Sequence, residues 1–315
     1  MCPQRRFVCP KSGQHVRTMN AIKPGINLTE KRASRHFRRR VSIFFWLATI
    51  IFVYLAGEAN GQVNLSERDI NEVIKFYKVE DSAGVDKAVK TFQAKMPGPV
   101  TSQKVREEIL KNLPPVVIKA KIEDEKLIQD FRKLAGPVLK LYKRDEIYEI
   151  IIFRNKTPVM LSDTGIVLVV SSGLIEQVES DDELFGYLAH EVGHEFFASY
   201  SIYSRHLFKL INDGGREPFL IRKYAEALSL IELQCDAFSV LTLAHLNYNT
   251  SAFIEGFERT AKNFPDHKVG FHPNDFTRRK LVEGISLKAS LNIKPKISSE
   301  LKQLKELLVR TNPYR

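Results

Sequence analysis

Cysteine is scarce in this chain of 315 residues, which contains only three. Cys2 and Cys9 precede an apolar segment at residues 41–57, so Cys235 is the one cysteine in the rest of the protein. This excludes an intramolecular disulfide bond in the body of the protein. The cysteine content is compatible with an oxidising compartment, but the body has no disulfide bond that would require one. The length and the 43% of hydrophobic residues are sufficient for a sizeable packed core.

Net charge is equally scarce in the body of the protein. The formal net charge at pH 7 is +11, but residues 1–40 hold eleven Lys or Arg residues against one acid, Glu30, which leaves +1 for residues 41–315. A nucleic-acid-binding domain carries its basic residues as a patch on the folded surface. The nearly neutral body therefore argues against nucleic acid as a partner.

Long apolar runs are represented by "VSIFFWLATIIFVYLAG" at residues 41–57, which has no charged residue. The run is shorter than the roughly 20 residues that cross a bilayer and longer than most signal-peptide cores, so it predicts either a cleaved signal peptide or a retained membrane anchor. Small residues favour cleavage after Ala59 or Gly61. Either way the basic flank stays inside, and the body is exported. Met1 and Met19 both fit as the start, because the leader is long.

Helical patterns fill most of the body, with apolar residues recurring every three or four positions. Ser66 is a start signal for one helix, and Ser180 with Glu183 forms a capping box that starts another. Gly136-Pro137 predicts a break inside a helical pattern. The predicted helical segments are residues 62–112, residues 122–143, a segment from Ser180 onward, residues 217–246 and residues 299–310.

Two β-branched runs of strand length, residues 148–154 and 166–172, interrupt the helical pattern. Pro158 and Gly165 predict turn structure between them. We predict that the second run is the edge of a small sheet, to which an extended peptide can add through main-chain hydrogen bonds. The residues predicted to bind the peptide are Ile166, Val167, Leu168 and Val169.

The chemistry is concentrated in "YLAHEVGHEFF", residues 187–197. On a helix His190 and His194 are one turn apart on the same face, so their ring nitrogens can converge on one metal ion. Glu191 is displaced by one residue and can reach a water molecule bound there, as a general base must. Gly193 weakens the helix and predicts that a backbone or a substrate passes close by.

The long helix at residues 217–246 supplies further candidates for the same site. A catalytic zinc ion needs a third protein ligand and an open fourth position, and Glu232 can be that ligand. Asp236 follows one turn later and can accept a hydrogen bond from a ligating imidazole. The motif could also occur by chance in an ordinary polar patch on a helix. The capped helix start and this second helix favour a metal site. Glu195 and Glu226 fit ordinary helix carboxylates.

These motifs resemble the M48 family of zinc metallopeptidases, gluzincins with a His-Glu-x-x-His helix and a Glu-x-x-x-Asp helix. The resemblance runs from about residue 147 to residue 285 and includes "GIVLVVSSGLIEQVESDDELFGYLAHEVGHE" and "HPNDFTRRKL". It implies one Zn2+ per chain and protein or peptide substrates. The implied roles are zinc binding for His190, His194 and Glu232, activation of water for Glu191, orientation of a ligand for Asp236, and places near the site for His272 and Arg278.

The sequence departs from the family pattern at two places. The Asn-Ala-Phe stretch that is usual before the edge strand is replaced by "KTPVML", which leaves substrate preference open. Cys235 stands where alanine is usual, and we interpret it as a packing change. His272 is a candidate oxyanion donor and catalytic residue, although a His-Pro pair also fits a turn.

We therefore predict a mostly helical α+β fold, with a zincin-like metallopeptidase domain, a small β-sheet and a helical N-terminal region. The predicted function is an exported zinc-dependent endopeptidase of envelope protein quality control, in the periplasm or on the outer face of the cytoplasmic membrane. Residues 41–57 make the membrane a partner if they are not cleaved. The competing prediction is a non-catalytic, zinc-containing envelope assembly factor or chaperone-like binding module. The predicted parts are a basic leader (1–40), a signal peptide or anchor (41–61), the helical region (62–115), the metallopeptidase domain (116–287) and a C-terminal helix (288–315).

Overall fold

The computed structural model describes residues 65–163, 165–197, 218–264 and 273–311. All of these described residues belong to one compact unit. The predicted leader, the apolar run and His272 lie outside the described residues. The division of the unit at residues 115 and 287 stays a prediction.

The described chain is mostly helical, with a short sheet in its middle. Before the sheet come α1 (Glu67–Tyr77), α2 (Ser82–Lys95), α3 (Gln103–Lys111), α4 (Pro115–Lys119) and α5 (Glu125–Leu141). The strands are β1 (Glu149–Phe153), β2 (Met160–Asp163) and β3 (Val167–Ser171). After them come α6 (Ser172–Gln177), α7 (Asp181–Phe197), α8 (Pro218–His245), α9 (Ser251–Asn263), α10 (Asp275–Ile285), α11 (Lys288–Leu291) and α12 (Ser299–Arg310). The predicted α+β fold, mostly helical, is confirmed.

Local side-chain caps start the helices where the sequence predicts them. The Ser66 hydroxyl accepts a hydrogen bond from the backbone N–H of Asp69 at 3.2 Å, in front of α1. At the start of α7 the Ser180 hydroxyl accepts from the N–H of Glu183 at 3.2 Å. The carboxylate of Glu183 in turn accepts a hydrogen bond from the backbone N–H of Glu179 at 2.8 Å. Capping therefore sets the start of the helix that carries the histidines.

The predicted break at Gly136-Pro137 is wrong, because α5 continues through both residues. A proline inside a helix removes one backbone hydrogen bond and costs about 3 kcal/mol. Here the cost is offset by an apolar face that is buried on both sides of the proline. Its buried residues are Leu127, Phe131, Leu134, Ala135, Gly136, Val138 and Leu139.

The sheet has the strand order β1-β3-β2, with β3 parallel to β1 and antiparallel to β2. The prediction that residues 166–169 form the edge is therefore wrong, because β3 is paired on both sides. Burial on both faces explains its continuous run of β-branched residues. The edge strand β2 has the sequence "MLSD", which is too short and too polar to be recognised as a strand. The residues expected at the edge are all at most 1% exposed: Ile166, Val167, Leu168 and Val169.

Helices cover both faces of the sheet. Alternate side chains of β1 and β3, such as Ile152 and Leu168, point into the main core. The intervening side chains, such as Ile151 and Val169, join a second cluster with Ile109 of α3. The N-terminal helical region therefore contributes directly to the burial of the strand that precedes the histidine helix.

The histidine helix α7 packs most extensively on α8. At the contact a Cβ atom on Gly193 would lie 3.2 Å from the Cα atom of Cys235, which is tighter than ordinary contact. The expected close approach at Gly193 is thus confirmed as an approach of the α8 backbone. Residues Arg222–His245 of α8 are long and apolar enough to cross a membrane, but 61% of the apolar window is buried inside the protein. Burial of this kind is typical of a core helix.

Candidate metal centre

Three side chains from α7 and α8 bring their donor atoms together. The Nε2 atoms of His190 and His194 are 3.1 Å apart. Glu232 places Oε2 at 3.2 Å from Nε2 of His190 and Oε1 at 3.6 Å from Nε2 of His194. The one-turn spacing of the histidines and the close packing of the two helices at Gly193 produce this convergence.

The three donors fit a small tetrahedral ion such as zinc. Ligand bonds of about 2.0–2.1 Å in a tetrahedron place two ligating atoms about 3.4 Å apart. The observed separations of 3.1, 3.2 and 3.6 Å lie around that value. Burial lowers the pKa of His190, but the hydrogen bonds to Asp236 and Glu232 outweigh burial and raise it to about 9. The carboxylates therefore favour positive charge at the imidazoles, whether it is a proton or a metal ion.

Asp236 orients the imidazole of His190 from the opposite side of the ring. Its Oδ1 atom lies 2.8 Å from Nδ1 of His190, and its side chain is fully buried. Burial disfavours the ionised carboxyl, but Arg278 and His190 outweigh this effect and hold the pKa of Asp236 below its ordinary value. A carboxylate in this position makes Nδ1 a donor and leaves Nε2 to ligate.

Arg278 compensates the buried charge of Asp236. Its Nε atom donates to Oδ2 of Asp236 at 2.7 Å and an Nη atom donates to Oδ1 at 2.5 Å. The guanidinium also lies over the ring of Phe257, with Cζ 3.4 Å from the ring centroid. The bidentate pair and the stacked ring fix the position of Asp236, and through it the orientation of His190.

Glu191 lies between the histidines and the edge strand β2. Its carboxylate accepts a hydrogen bond from the backbone N–H of Ser162 at 2.8 Å, and its carbonyl oxygen accepts from the Ser162 hydroxyl at 2.9 Å. Burial raises the pKa of Glu191, while His194 and His190 act in the opposite direction. A buried carboxylate with a raised pKa, next to a metal site, is suited to accept a proton from water.

Cys235 has a contact that the interpretation as a packing change did not include. Its Sγ atom is 3.5 Å from Nδ1 of His194. Burial raises the pKa of the thiol well above its usual range, so the group stays protonated. The sulfur faces Nδ1 of His194, whereas the three donors meet at the Nε2 atoms, so Cys235 lies beside the donor set rather than in it.

Sequence reasoning missed a further buried carboxylate on α7, beside the candidate metal centre. Glu195, expected to be an ordinary helix carboxylate, is 6% exposed and forms an ion pair with Arg144, which is 3% exposed. The spacing of four residues between Glu191 and Glu195 was the available signal, since it places both carboxylates on one face of the helix. Glu226 is a surface carboxylate as expected, and it pairs with Arg222 and Lys223.

The structure brings most of the predicted site residues together and leaves two groups apart. The strand residues 166–169 lie in the centre of the sheet, behind β2, and not at an edge that a peptide can reach. His272 lies outside the described residues, so its predicted role as an oxyanion donor stays a prediction. The residues that meet at the centre are His190, Glu191, His194, Glu232, Asp236 and Arg278.

Comparison with known proteins gives one family. No curated protein matches the chain at a significant level. The family model of peptidase family M48 matches residues 160–260, which contain β2, β3, the histidine helix, and Glu232 and Asp236 of α8. The family model thus lies inside the segment, about residues 147–285, over which the sequence resembles the family. Over residues 160–260 the chain is therefore similar to peptidase family M48.

Proposed function

We propose that this chain is an exported, zinc-dependent endopeptidase in which Glu191 is the general base. The observation that carries the proposal is the geometry of α7 and α8. Two imidazole nitrogens and the Glu232 carboxylate converge within 3.6 Å of one another, and the carboxylate of Glu191 borders the same centre. Three protein ligands with a neighbouring base are the arrangement that hydrolytic zinc sites use.

The residues of the chain have separate roles in this mechanism. A zinc ion, when bound, supplies Lewis-acid polarisation of the peptide carbonyl and makes a water molecule more acidic. His190, His194 and Glu232 hold the ion. Glu191 accepts the proton of the attacking water and delivers it to the nitrogen of the leaving amine.

We place the substrate at β2 rather than at β3. Backbone groups of an antiparallel strand alternate between facing its partner and facing away. The N–H of Ser162 faces away from β3, since it donates to Glu191, and Met160 has the same orientation two residues earlier. An extended peptide that adds to this side of β2 passes beside Glu191, and main-chain pairing makes few demands on its sequence.

The proposed export rests on residues 1–61, and the proposed role in envelope protein quality control depends on it. The basic leader followed by the apolar run at residues 41–57 supports transfer of the body across a membrane. We expect N-terminal sequencing of the mature protein to find a start at Asn60 or Gln62 if the segment is cleaved. An intact N-terminus in the membrane fraction would indicate an anchor, and an intact chain in the cytosol would contradict export.

The proposal is tested by zinc analysis and by hydrolysis of casein with the full chain. We expect about one zinc per chain in the wild type and a loss of zinc in His190→Ala and Glu232→Ala. Glu191→Gln should keep its zinc and lose at least about 100-fold in kcat/KM, because the general base is removed.

The matched control is Glu226→Gln, which removes a surface carboxylate from the helix of Glu232 and should leave zinc and activity unchanged. A wild type that holds zinc but is as inactive as Glu191→Gln would contradict the enzyme. If that protein still binds unfolded casein, it would point to the non-catalytic binding module.

A further inference from the structure

Two carboxylates of α7 face the hairpin of β2 and β3. Glu191 accepts the N–H of Ser162 at 2.8 Å in the edge strand. Glu195 lies one helical turn later and contacts the hairpin turn at Gly165, where an added Cβ atom would overlap the carboxyl group. His190 and His194 have the same one-turn spacing on the neighbouring face. One face of α7 thus serves the metal centre, and the next supports the strand above it.

Arg144 holds the carboxylate of Glu195 in place. Its Nε atom donates to Oε2 at 2.8 Å and an Nη atom donates to Oε1 at 2.6 Å. The hydroxyl of Tyr148 donates to the same Oε2 atom at 3.2 Å. A buried charge with these partners has little freedom to move, because its position is determined by three hydrogen bonds.

The guanidinium of Arg144 is in turn fixed by the backbone around it. It donates to the carbonyl oxygen of Pro97 at 2.5 Å and to those of Tyr142 and Lys143 at 3.3 Å each. Lys143 has φ 56°, a left-handed conformation that is uncommon for a residue with a side chain. This strained conformation of Lys143, in the turn after α5, directs the next side chain, Arg144, into the core.

The Gly165 turn determines how the hairpin meets Glu195. Gly165 has φ +69°, and the N–H of Ile166 closes the turn on the carbonyl oxygen of Asp163 at 2.9 Å. Because only a glycine leaves room for the carboxyl group, the turn lies directly against Glu195. A displacement of Glu195 would therefore move the turn and, three residues earlier, Ser162.

We propose that Glu195, held by Arg144, is a positioning residue. It fixes the position of the β2–β3 hairpin, and so of Ser162, relative to the carboxylate of Glu191. This inference rests on the proposed function, since it assigns the residue that aligns the base and the edge strand for an extended peptide. A purely structural ion pair would stabilise the fold and leave each folded molecule as active as the wild type. A positioning pair changes the reaction of folded, zinc-loaded molecules.

The test compares Glu195→Gln with Glu183→Gln in the full chain. Glu183 is the control, because it is a buried carboxylate at the opposite end of α7 that pairs with the partly exposed Arg259, and glutamine also fits its capping position. For each variant we would measure zinc content, kcat and KM for a peptide substrate, and hydrogen exchange of the amides of residues 160–166. We expect Glu195→Gln to lower kcat per bound zinc by about tenfold or more, since small displacements at a reacting group cost this much. Exchange at Ser162 should become about tenfold faster.

Glu183→Gln should stay within about twofold of the wild type in both measurements, because it does not contact the hairpin. Equal kcat per bound zinc and equal exchange in the two variants would overturn the proposal. If the wild type has no peptidase activity, the proposed function fails. Hydrogen exchange then still decides whether Glu195 positions the hairpin.

A second variant avoids the loss of a buried charge. Gly165→Ala keeps Arg144 and Glu195 paired but forces the turn away from the carboxyl group. We expect it to reproduce the lower kcat and the faster exchange at Ser162. Gly98→Ala is its control, because an added Cβ atom there meets nothing within 4 Å. Identical behaviour of the two alanine variants would also overturn the proposal.

Discussion

Two neighbouring arginines of α10 form the same ion pair in two different regions of the molecule. Arg278 binds Asp236 with distances of 2.7 and 2.5 Å, and Arg279 binds Glu258 with distances of 2.7 and 2.6 Å. The side chains of the first pair are 3% and 0% exposed, whereas both side chains of the second pair are 37% exposed. Similar hydrogen bonds therefore occur in the interior beside the candidate metal centre and on the surface.

The difference teaches that burial, rather than hydrogen-bond geometry, determines how much free energy is lost when an ion pair is broken. A buried carboxylate without its cation cannot be solvated, so the pair must remain intact. An exposed pair exchanges its partner for water at little cost. Asp236 can therefore hold His190 in one orientation. Glu258 contributes little to the stability of the protein.

The largest expected effect comes from removing the cation of each pair. Arg278→Met leaves Asp236 buried and charged, so we expect a loss of about 3–5 kcal/mol in the free energy of unfolding. Arg279→Met should lose at most about 1 kcal/mol. Urea denaturation followed by circular dichroism measures both values. Similar losses in the two variants would show that burial does not separate the pairs.

An intermediate effect is expected when only the carboxylate charge is removed. Asp236→Asn keeps the shape of the side chain but weakens its hold on the His190 imidazole, so zinc affinity should fall by about 10- to 100-fold. Glu258→Gln has the same chemistry on the surface and should leave zinc affinity unchanged. Competition with a chromophoric chelator gives both affinities, and an unchanged affinity in Asp236→Asn would remove that residue from the metal centre.

The smallest expected effect is the response of the exposed pair to salt. A double-mutant cycle on Arg279 and Glu258 should give a coupling free energy of about 0.5 kcal/mol at low salt, falling towards zero at 1 M salt. The corresponding cycle on Arg278 and Asp236 should keep its value, because mobile ions do not reach the buried pair. A coupling free energy of the exposed pair that does not change with salt would contradict the expected difference between the two regions.

Helix positions could be predicted from the sequence because their signals are local. Ser66 and Ser180 cap helices by bonding to residues three positions later. The last helix, residues 299–310, occurs where its apolar repeat predicts it. The predicted break at Pro137 was wrong, because the burial of α5 against the rest of the protein outweighs the local cost of a proline.

The strand order could not be predicted because pairing is decided between distant segments. The run at residues 166–172 has the composition of a buried strand, and only its two neighbours make it central rather than an edge. The four residues of β2 have weak strand propensity and form a strand because β3 offers them a partner. This difference moved the expected substrate position from one strand to the next.

The sequence by itself determined the centre of the candidate site, since the helical repeat places His190 and His194 on one face and Glu191 beside them. The spacing on the second helix made Glu232 and Asp236 candidates for the same site, and the resemblance to the M48 family implied the same roles. Only the tertiary structure decided which buried charges meet. Arg144 and Glu195 are separated by 51 residues, and Asp236 and Arg278 by 42. Such pairs form where packing excludes water, and no local pattern records which distant charge will compensate a buried one.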